Sequence, residues 1–156
     1  MTIMGIPVEA VAARKARYRR AMADVDYRRN VVLLRNRGVS QTEIAAMIGV
    51  AQPTVQKLLA RAEAISMPRQ GFSGADPYEI CQRYAADLIS REQVRDELSR
   101  WEYTPRARTA DPVDDLIVDT PGSIADVKHA MRQGLIDEDL FYEIVEAVEM
   151  RGESPC

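Results

Sequence analysis

The sequence predicts an all-α protein. Of its 156 residues, 46% are hydrophobic, yet only two phenylalanines, one tryptophan and six tyrosines are aromatic. Alanine, leucine, isoleucine, valine, arginine and glutamate dominate, a composition that favours helix over strand. Apolar residues recur at helical spacing in several segments, and glycines or prolines stand between those segments. A chain of this length can bury one good core or two small ones.

The chain shows no sign of a membrane or an oxidising compartment. No hydrophobic run approaches the roughly 20 residues that span a bilayer, and the N-terminus lacks a signal-peptide core. The two cysteines, Cys81 and Cys156, have neither metal-site nor disulfide-framework spacing. We therefore expect a cytoplasmic protein with no membrane partner and no bound metal.

Charge divides the chain into two halves. Residues 1–70 contain twelve lysines and arginines against five acidic residues, a net charge of +7. Residues 71–156 contain nine lysines and arginines against nineteen acidic residues, a net charge of −10. The stretch SMPRQGFSGADP at 66–77 has the composition of a linker. We therefore predict two domains, 1–70 and 71–156, of which the basic one suits a polyanion.

The basic half predicts a series of helices. The segments at 11–30 and 24–37 both have helical patterns, and Gly38 is placed to end the second. Ser40 and Glu43 form a capping box that starts the next helix, with Ile44, Ala45 and Ile48 on its buried side. Gly49 permits a sharp turn through positive φ.

A third helix is predicted to begin near Gln52, where Pro53 is tolerated in the first turn. Its aliphatic residues Val55, Leu58 and Leu59 should face inward, leaving four polar residues exposed: Gln52, Thr54, Gln56 and Lys57. Ala51 at the cap position provides no side-chain acceptor, which costs typically about 1 kcal/mol.

The twenty residues SQTEIAAMIGVAQPTVQKLL (40–59) resemble the helix-turn-helix of phage repressors and related bacterial regulators. The resemblance implies that the helix from Gln52 to Ala62 lies in the major groove of double-stranded DNA and that Gln41 contacts a phosphate. The base-contacting candidates are Gln52, Thr54, Gln56 and Lys57. An ordinary helical hairpin is the alternative interpretation.

Further phosphate contacts are expected from arginines flanking this motif. Arg14, Arg17 and Arg20 precede it on a helical pattern, and Arg61 lies near the end of the third helix. Such contacts would add affinity without sequence information. A solvated charged face is the alternative for the upstream arginines.

The acidic half contains an internal repeat. Residues 76–101 align without a gap on residues 123–148, so that Ile80 matches Val127, Val94 matches Phe141 and Leu98 matches Val145. Each copy predicts a capped helix, a tight turn at Leu-Ile and a second capped helix. The copies resemble the short helical hairpins of SHOCT-type modules. Because one such hairpin buries little apolar surface, we expect the two to pack together or onto a partner.

Catalysis is not expected. The single histidine, His129, has no Ser, Cys or Asp partner at recognisable spacing, and no phosphate-binding glycine loop is present. The sequence therefore predicts a homodimeric, sequence-specific DNA-binding regulator, a repressor, without cofactors. The alternative is an antitoxin or adaptor whose acidic half binds a basic protein partner. The acidic half could also serve solubility or self-association.

Overall fold

The computed structural model describes residues 5–62, 64–105, 107–108, 117–118 and 122–152. These residues form seven α-helices: α1 (Val8–Asn36), α2 (Gln41–Ile48), α3 (Gln52–Ala62), α4 (Pro77–Ala85), α5 (Arg91–Arg100), α6 (Ile124–Arg132) and α7 (Glu138–Met150). One pair of two-residue antiparallel strands, β1 (Ala107–Arg108) and β2 (Ile117–Val118), accompanies them. The predicted all-α class is confirmed. None of the helices described is long and apolar enough to cross a membrane.

Helix α1 is a single helix of 29 residues. The sequence predicts helix in two overlapping stretches, and the structure joins them because no glycine or proline interrupts the chain between Val8 and Asn36. The helix ends before Gly38, whose φ of +85° lies in the left-handed region that favours glycine.

The chain forms two compact units. One comprises Arg20–Met67 and is called the basic unit; the other comprises Met1–Arg19 with Pro68–Cys156 and is called the acidic unit. From the sequence, their net charges are +3 and −6. These units differ from the predicted domains 1–70 and 71–156, which remain predictions, because the first part of α1 belongs to the acidic unit.

The basic unit contains the second part of α1 together with α2 and α3. Its core consists of Val31 and Val32 from α1, Ile44 and Ala45 from α2, and Val55, Leu59 and Ala62 from α3. Arg29 is also buried, and its Nε and Nη2 atoms donate to the Ser66 carbonyl at 2.9 and 2.7 Å. This guanidinium therefore fixes the chain that follows α3 against α1.

The acidic unit contains two helical hairpins, α4–α5 (hairpin 1) and α6–α7 (hairpin 2). Helix α4 packs on α6 and α5 packs on α7, so each helix contacts its counterpart in the repeat. The fully buried side chains that these helices share include Ile80, Val94, Leu98, Leu140 and Ile144. The expectation that the two copies pack together is confirmed.

The repeat holds at the level of single residues. Pro77 and Ile124 begin the first helices and Arg91 and Glu138 begin the second, so the spacing is the same at both starts. All four N-caps predicted from the sequence accept from a backbone amide in the first turn: Asp76, Ser90, Ser123 and Asp137. The hydrogen bond to Asp137 from the Leu140 amide lowers the pKa of this carboxyl.

The segment predicted as a linker packs against α5. The Phe72 ring meets Trp101 edge-on with centroids 4.8 Å apart, and the Arg69 guanidinium lies 4.8 Å from the centre of the Trp101 ring. Ser73 donates from its amide and its hydroxyl to the buried Glu97 carboxylate. Because of these contacts the acidic unit begins at Pro68, before the predicted break at Gly71.

The first part of α1 is bound to the turn of hairpin 1. Lys15 Nζ lies 2.8 Å from Asp87 Oδ2, and Arg19 Nη2 lies 3.6 Å from the same oxygen. Arg19 Nε also donates to the Ala86 carbonyl at 2.9 Å. These contacts explain why residues up to Arg19 belong to the acidic unit.

Candidate nucleic-acid interface

Helices α2 and α3 lie in the basic unit and cover the residues for which a helix-turn-helix was predicted. Ser40 Oγ accepts from the Glu43 amide, and the Glu43 carboxylate accepts from the Ser40 amide, so the capping box is present. Gly49 adopts φ +76° and ψ +37°, and its amide donates to the Ala45 carbonyl. The chain therefore changes direction sharply at Gly49, and α3 begins at Gln52.

The capping box has an electrostatic consequence for Glu43. The hydrogen bond from the Ser40 amide, reinforced by the Ser40 hydroxyl, lowers the pKa of the Glu43 carboxyl. A carboxylate that is ionised at neutral pH therefore stands in the first turn of α2, where the helix dipole favours negative charge. This interaction stabilises the start of the helix that supports α3.

Helix α3 has one buried side and one exposed polar side. Val55, Leu59 and Ala62 are buried, at the helical spacing of four and three residues. At about 100° per residue, Lys57 falls in the middle of the exposed arc. Gln56 lies toward one edge, and Thr54 and Arg61 share the other. These four side chains are exposed, as predicted for Thr54, Gln56 and Lys57.

Gln52 differs from the other predicted base-contacting residues because it is half-buried. Its Nε2 donates to Gln41 Oε1 at 2.7 Å, so the first residue of α3 is joined to the first residue of α2. The sequence predicts separate roles for these two glutamines, one on a base and one on a phosphate. In the structure they form one side-chain pair, which fixes the Gln52 amide at the edge of the exposed arc.

The predicted phosphate-contacting arginines fall into both compact units. Arg61 is exposed in the last turn of α3, and Arg20 is exposed on the α1 segment of the basic unit. Arg14 and Arg17 are exposed on the α1 segment of the acidic unit. Within the basic unit, the structure therefore assembles Arg61 with the polar residues of α3.

Arg29 has a structural role that the sequence pattern does not predict. Its spacing on α1 resembles that of the other arginines, but its side chain is only 5% exposed and binds the Ser66 carbonyl. The signal that distinguishes it is its position seven residues after Met22 and three before Val32, on the buried side of α1. A helical projection of α1 shows this only once the buried side is known.

The remaining reactive side chains are located in the acidic unit. His129 is exposed on α6 and stacks on Tyr78 of α4, with ring centroids 5.3 Å apart. Cys81 is fully buried in the core, and burial raises the pKa of its thiol. In the part of the chain that the structure describes, no group of three His, Cys, Asp or Glu side chains could hold a metal ion.

Comparison of the chain with protein-family models, with curated proteins and with solved structures gives no significant match.

Proposed function

We propose that this protein is a DNA-binding transcriptional regulator that inserts α3 into the major groove of double-stranded DNA. The observation that carries the proposal is the exposed arc of α3, which presents Thr54, Gln56, Lys57 and Arg61 and contains no acidic residue. The major groove accepts an α-helix, and amide and ammonium side chains match the hydrogen-bonding groups of base edges there.

The two ends of α3 have different roles in this proposal. Gln56 and the Gln52 amide lie on the same side of the helix, one turn apart, and are suited to adenine. The Gln41–Gln52 hydrogen bond of 2.7 Å holds the Gln52 amide in one orientation, which lowers the entropy lost on binding. Arg61, in the last turn, is suited to a phosphate oxygen.

Repression is the simplest regulatory outcome, since a bound protein blocks access to its site without further activity. We propose that a twofold homodimer binds two inverted half-sites, because pairing two identical readers doubles the number of base contacts. The function proposed requires no catalysis and no cofactor.

The first test is selection of bound sequences from random duplex DNA by the intact protein at near-physiological salt. An enriched motif present in two inverted copies is the expected result. The variant Gln56→Ala with Lys57→Ala should lose preference for that motif, because each lost base contact costs about 1–3 kcal/mol. Enrichment of no motif by the intact protein would overturn the proposal.

A matched control separates this effect from loss of charge. Arg132→Ala with Gln133→Ala removes one cation and one amide from exposed positions at the end of α6. We expect this control to retain the selected motif with unchanged affinity. If it loses selectivity as the α3 variant does, the assignment of base contacts to Gln56 and Lys57 is wrong.

Arg61 provides a test of the division between base and phosphate contacts. Arg61→Gln should weaken binding to selected and scrambled sites by the same factor. It should also reduce the slope of log affinity against log salt concentration by about 1, as expected for one lost phosphate contact. Fluorescence anisotropy at several salt concentrations measures both quantities. A loss confined to the selected site would instead make Arg61 a base-contacting residue.

A further inference from the structure

A groove of about 410 Å³ lies along the contact between α5 and α7 in the acidic unit. Glu92 and Asp96 line it from α5, and Glu143, Glu146, Ala147 and Met150 line it from α7. The groove lies far along the chain from the predicted helix-turn-helix, and DNA binding by α3 does not use it.

The lining residues form two rows that follow the helix axes. Glu92 and Asp96 are four residues apart on α5, and Glu143, Glu146 and Met150 are three and four residues apart on α7. Side chains at these spacings share one face of a helix. Asp96 and Glu143 are also equivalent residues of the repeat, so the internal symmetry itself places a carboxylate on each side of the groove.

Negative charge in the groove exceeds positive charge. Four carboxylates line it against the single guanidinium of Arg95. Asp96 pairs with Arg100 at 2.9 Å, and Glu143 lies 3.5 Å from Arg91. Among the residues that the structure describes, no cation lies within 4.0 Å of the carboxylates of Glu92 and Glu146. Two acidic groups at opposite sides of the groove are thus available to an external cation.

The groove also offers apolar surface and a buried hydroxyl. Met150, in the last turn of α7, is 81% exposed and presents its apolar side chain to solvent. Methionine adapts its shape to different apolar partners. Ser99 also lines the groove, and its buried Oγ has no hydrogen-bond partner among the described residues. Buried hydroxyls in folded proteins are normally hydrogen-bonded.

We propose that this groove binds a positively charged segment of a protein partner. Lysine or arginine side chains of that segment pair with Glu92 and Glu146, and a neighbouring apolar side chain contacts Met150 and Ala147. The aliphatic stems of lysine and arginine suit such a surface, because they cover apolar atoms while their charged ends reach carboxylates. Charge complementarity selects a basic occupant. It disfavours a nucleic acid, because the four carboxylates would repel its phosphates.

The test uses the full-length protein and a phage-displayed library of random 12-residue peptides. We expect the selected peptides to carry at least two lysines or arginines together with an apolar residue. Affinities of the synthesised peptides are then measured by isothermal titration calorimetry at near-physiological salt. Failure to enrich any peptide, or enrichment without a bias toward basic residues, would overturn the proposal.

The variant Glu92→Gln with Glu146→Gln tests the location of the site. Both side chains are exposed, and no cation of the described residues lies within ion-pair distance of either, so the substitutions preserve shape and leave the core untouched. We expect at least a tenfold loss of affinity for the selected peptides. The control Glu102→Gln with Glu149→Gln removes the same charge from exposed positions outside the groove, and should change affinity less than twofold.

Equal losses in the two double variants would mean general charge attraction and would overturn the proposal. Sedimentation velocity tests whether a second copy of this chain occupies the groove. If Glu92→Gln with Glu146→Gln dissociates an oligomer of the unmodified protein, the groove is a self-association surface and the proposal is wrong. DNA selection with the same variant should be unchanged, so failure here is distinguishable from failure of the DNA-binding proposal.

Discussion

Hairpin 1 and hairpin 2 end their first helices with the same set of backbone hydrogen bonds. In hairpin 1 the amides of Ala86, Asp87 and Leu88 donate to the carbonyls of Gln82, Tyr84 and Arg83; in hairpin 2 those of Gln133, Gly134 and Leu135 donate to His129, Met131 and Ala130. The pattern requires one residue at positive φ. That residue is Gly134 in hairpin 2, with φ +77°, and Asp87 in hairpin 1, with φ +58°.

The comparison shows that one backbone requirement can be met with or without a side chain. Glycine meets it at little steric cost, whereas aspartate is among the few other residues that adopt this conformation. In hairpin 1 the carboxylate held in this position pairs with Lys15 and Arg19 of α1. The two hairpins thus keep the same turn conformation, while hairpin 1 gains a side chain that binds α1.

The largest difference between the copies should appear in their cores. Leu98 and Val145 are equivalent in the repeat, but Leu98 is fully buried and Val145 only partly. Leu98→Ala should lower the free energy of unfolding by about 2–5 kcal/mol. Val145→Ala should cost about 1 kcal/mol, since less apolar area is lost. Urea unfolding monitored by Trp101, the only tryptophan, reports on the acidic unit. Equal losses would contradict the packing described here.

A second difference lies at Glu97, which corresponds to Ile144. Both side chains are buried, but Glu97 accepts two hydrogen bonds from Ser73, whereas Ile144 is in apolar contact. Glu97→Ala leaves the Ser73 donors without this acceptor, and should cost about 1–3 kcal/mol. Glu97→Gln, which keeps an acceptor oxygen, should cost less. The same urea titration measures both, and a Gln variant as unstable as the Ala variant would argue against these hydrogen bonds.

Substitution in the turn of hairpin 2 should have an intermediate effect on stability. A Cβ at Gly134 meets no atom within 4 Å, so substitution there tests the backbone alone. Gly134→Ala should destabilise the acidic unit by about 1–2 kcal/mol, the cost of a left-handed conformation for an L-residue. Gly134→Asn should cost less, because asparagine tolerates this region, as Asp87 does. If alanine is accepted without loss, the two turns do not share the conformation seen here.

The smallest effect is expected for Asp87→Asn, which retains the left-handed conformation and removes the charge. The Lys15 ammonium, by hydrogen bonding, lowers the pKa of the Asp87 carboxyl. A lowered folded pKa contributes stability above the unfolded value of about 3.9, and the contribution is lost as the pH falls through the folded value. The small decrease in Tm at pH 7 should therefore vanish in acid and shrink at high salt. A decrease that persists in acid would exclude the ion pairs as its cause.

The features that the sequence predicted well are local ones. The Ser40–Glu43 capping box and the turn at Gly49 depend on residues within a few positions of one another, and the starts of the four hairpin helices follow from the repeat. The core residues of α3 follow from helical period. Each of these signals survives because tertiary packing agrees with it.

The features that were missed depend on contacts between distant residues. Nothing in the spacing of Gln41 and Gln52 indicates that their amides bond, since this requires the crossing geometry of α2 and α3. The segment at 66–77 has a linker composition, yet Ser73 finds a carboxylate 24 residues away. Leu88 and Leu135 are equivalent positions of the repeat, but Leu88 is 48% exposed and Leu135 is buried. Burial differs at these equivalent positions because the residues that pack around them differ.

The pairing of each helix with its counterpart also has a kinetic consequence. Helices α5 and α6 are separated by 23 residues of chain. The contacts of α4 with α6 and of α5 with α7 form only when the two ends of that stretch come together. Each hairpin, by contrast, is completed by neighbours in sequence. The entropy of closure grows slowly with length, so ten added residues would cost only about 0.3 kcal/mol. Refolding of the acidic unit should therefore depend more on docking the two hairpins than on the length of chain that joins them.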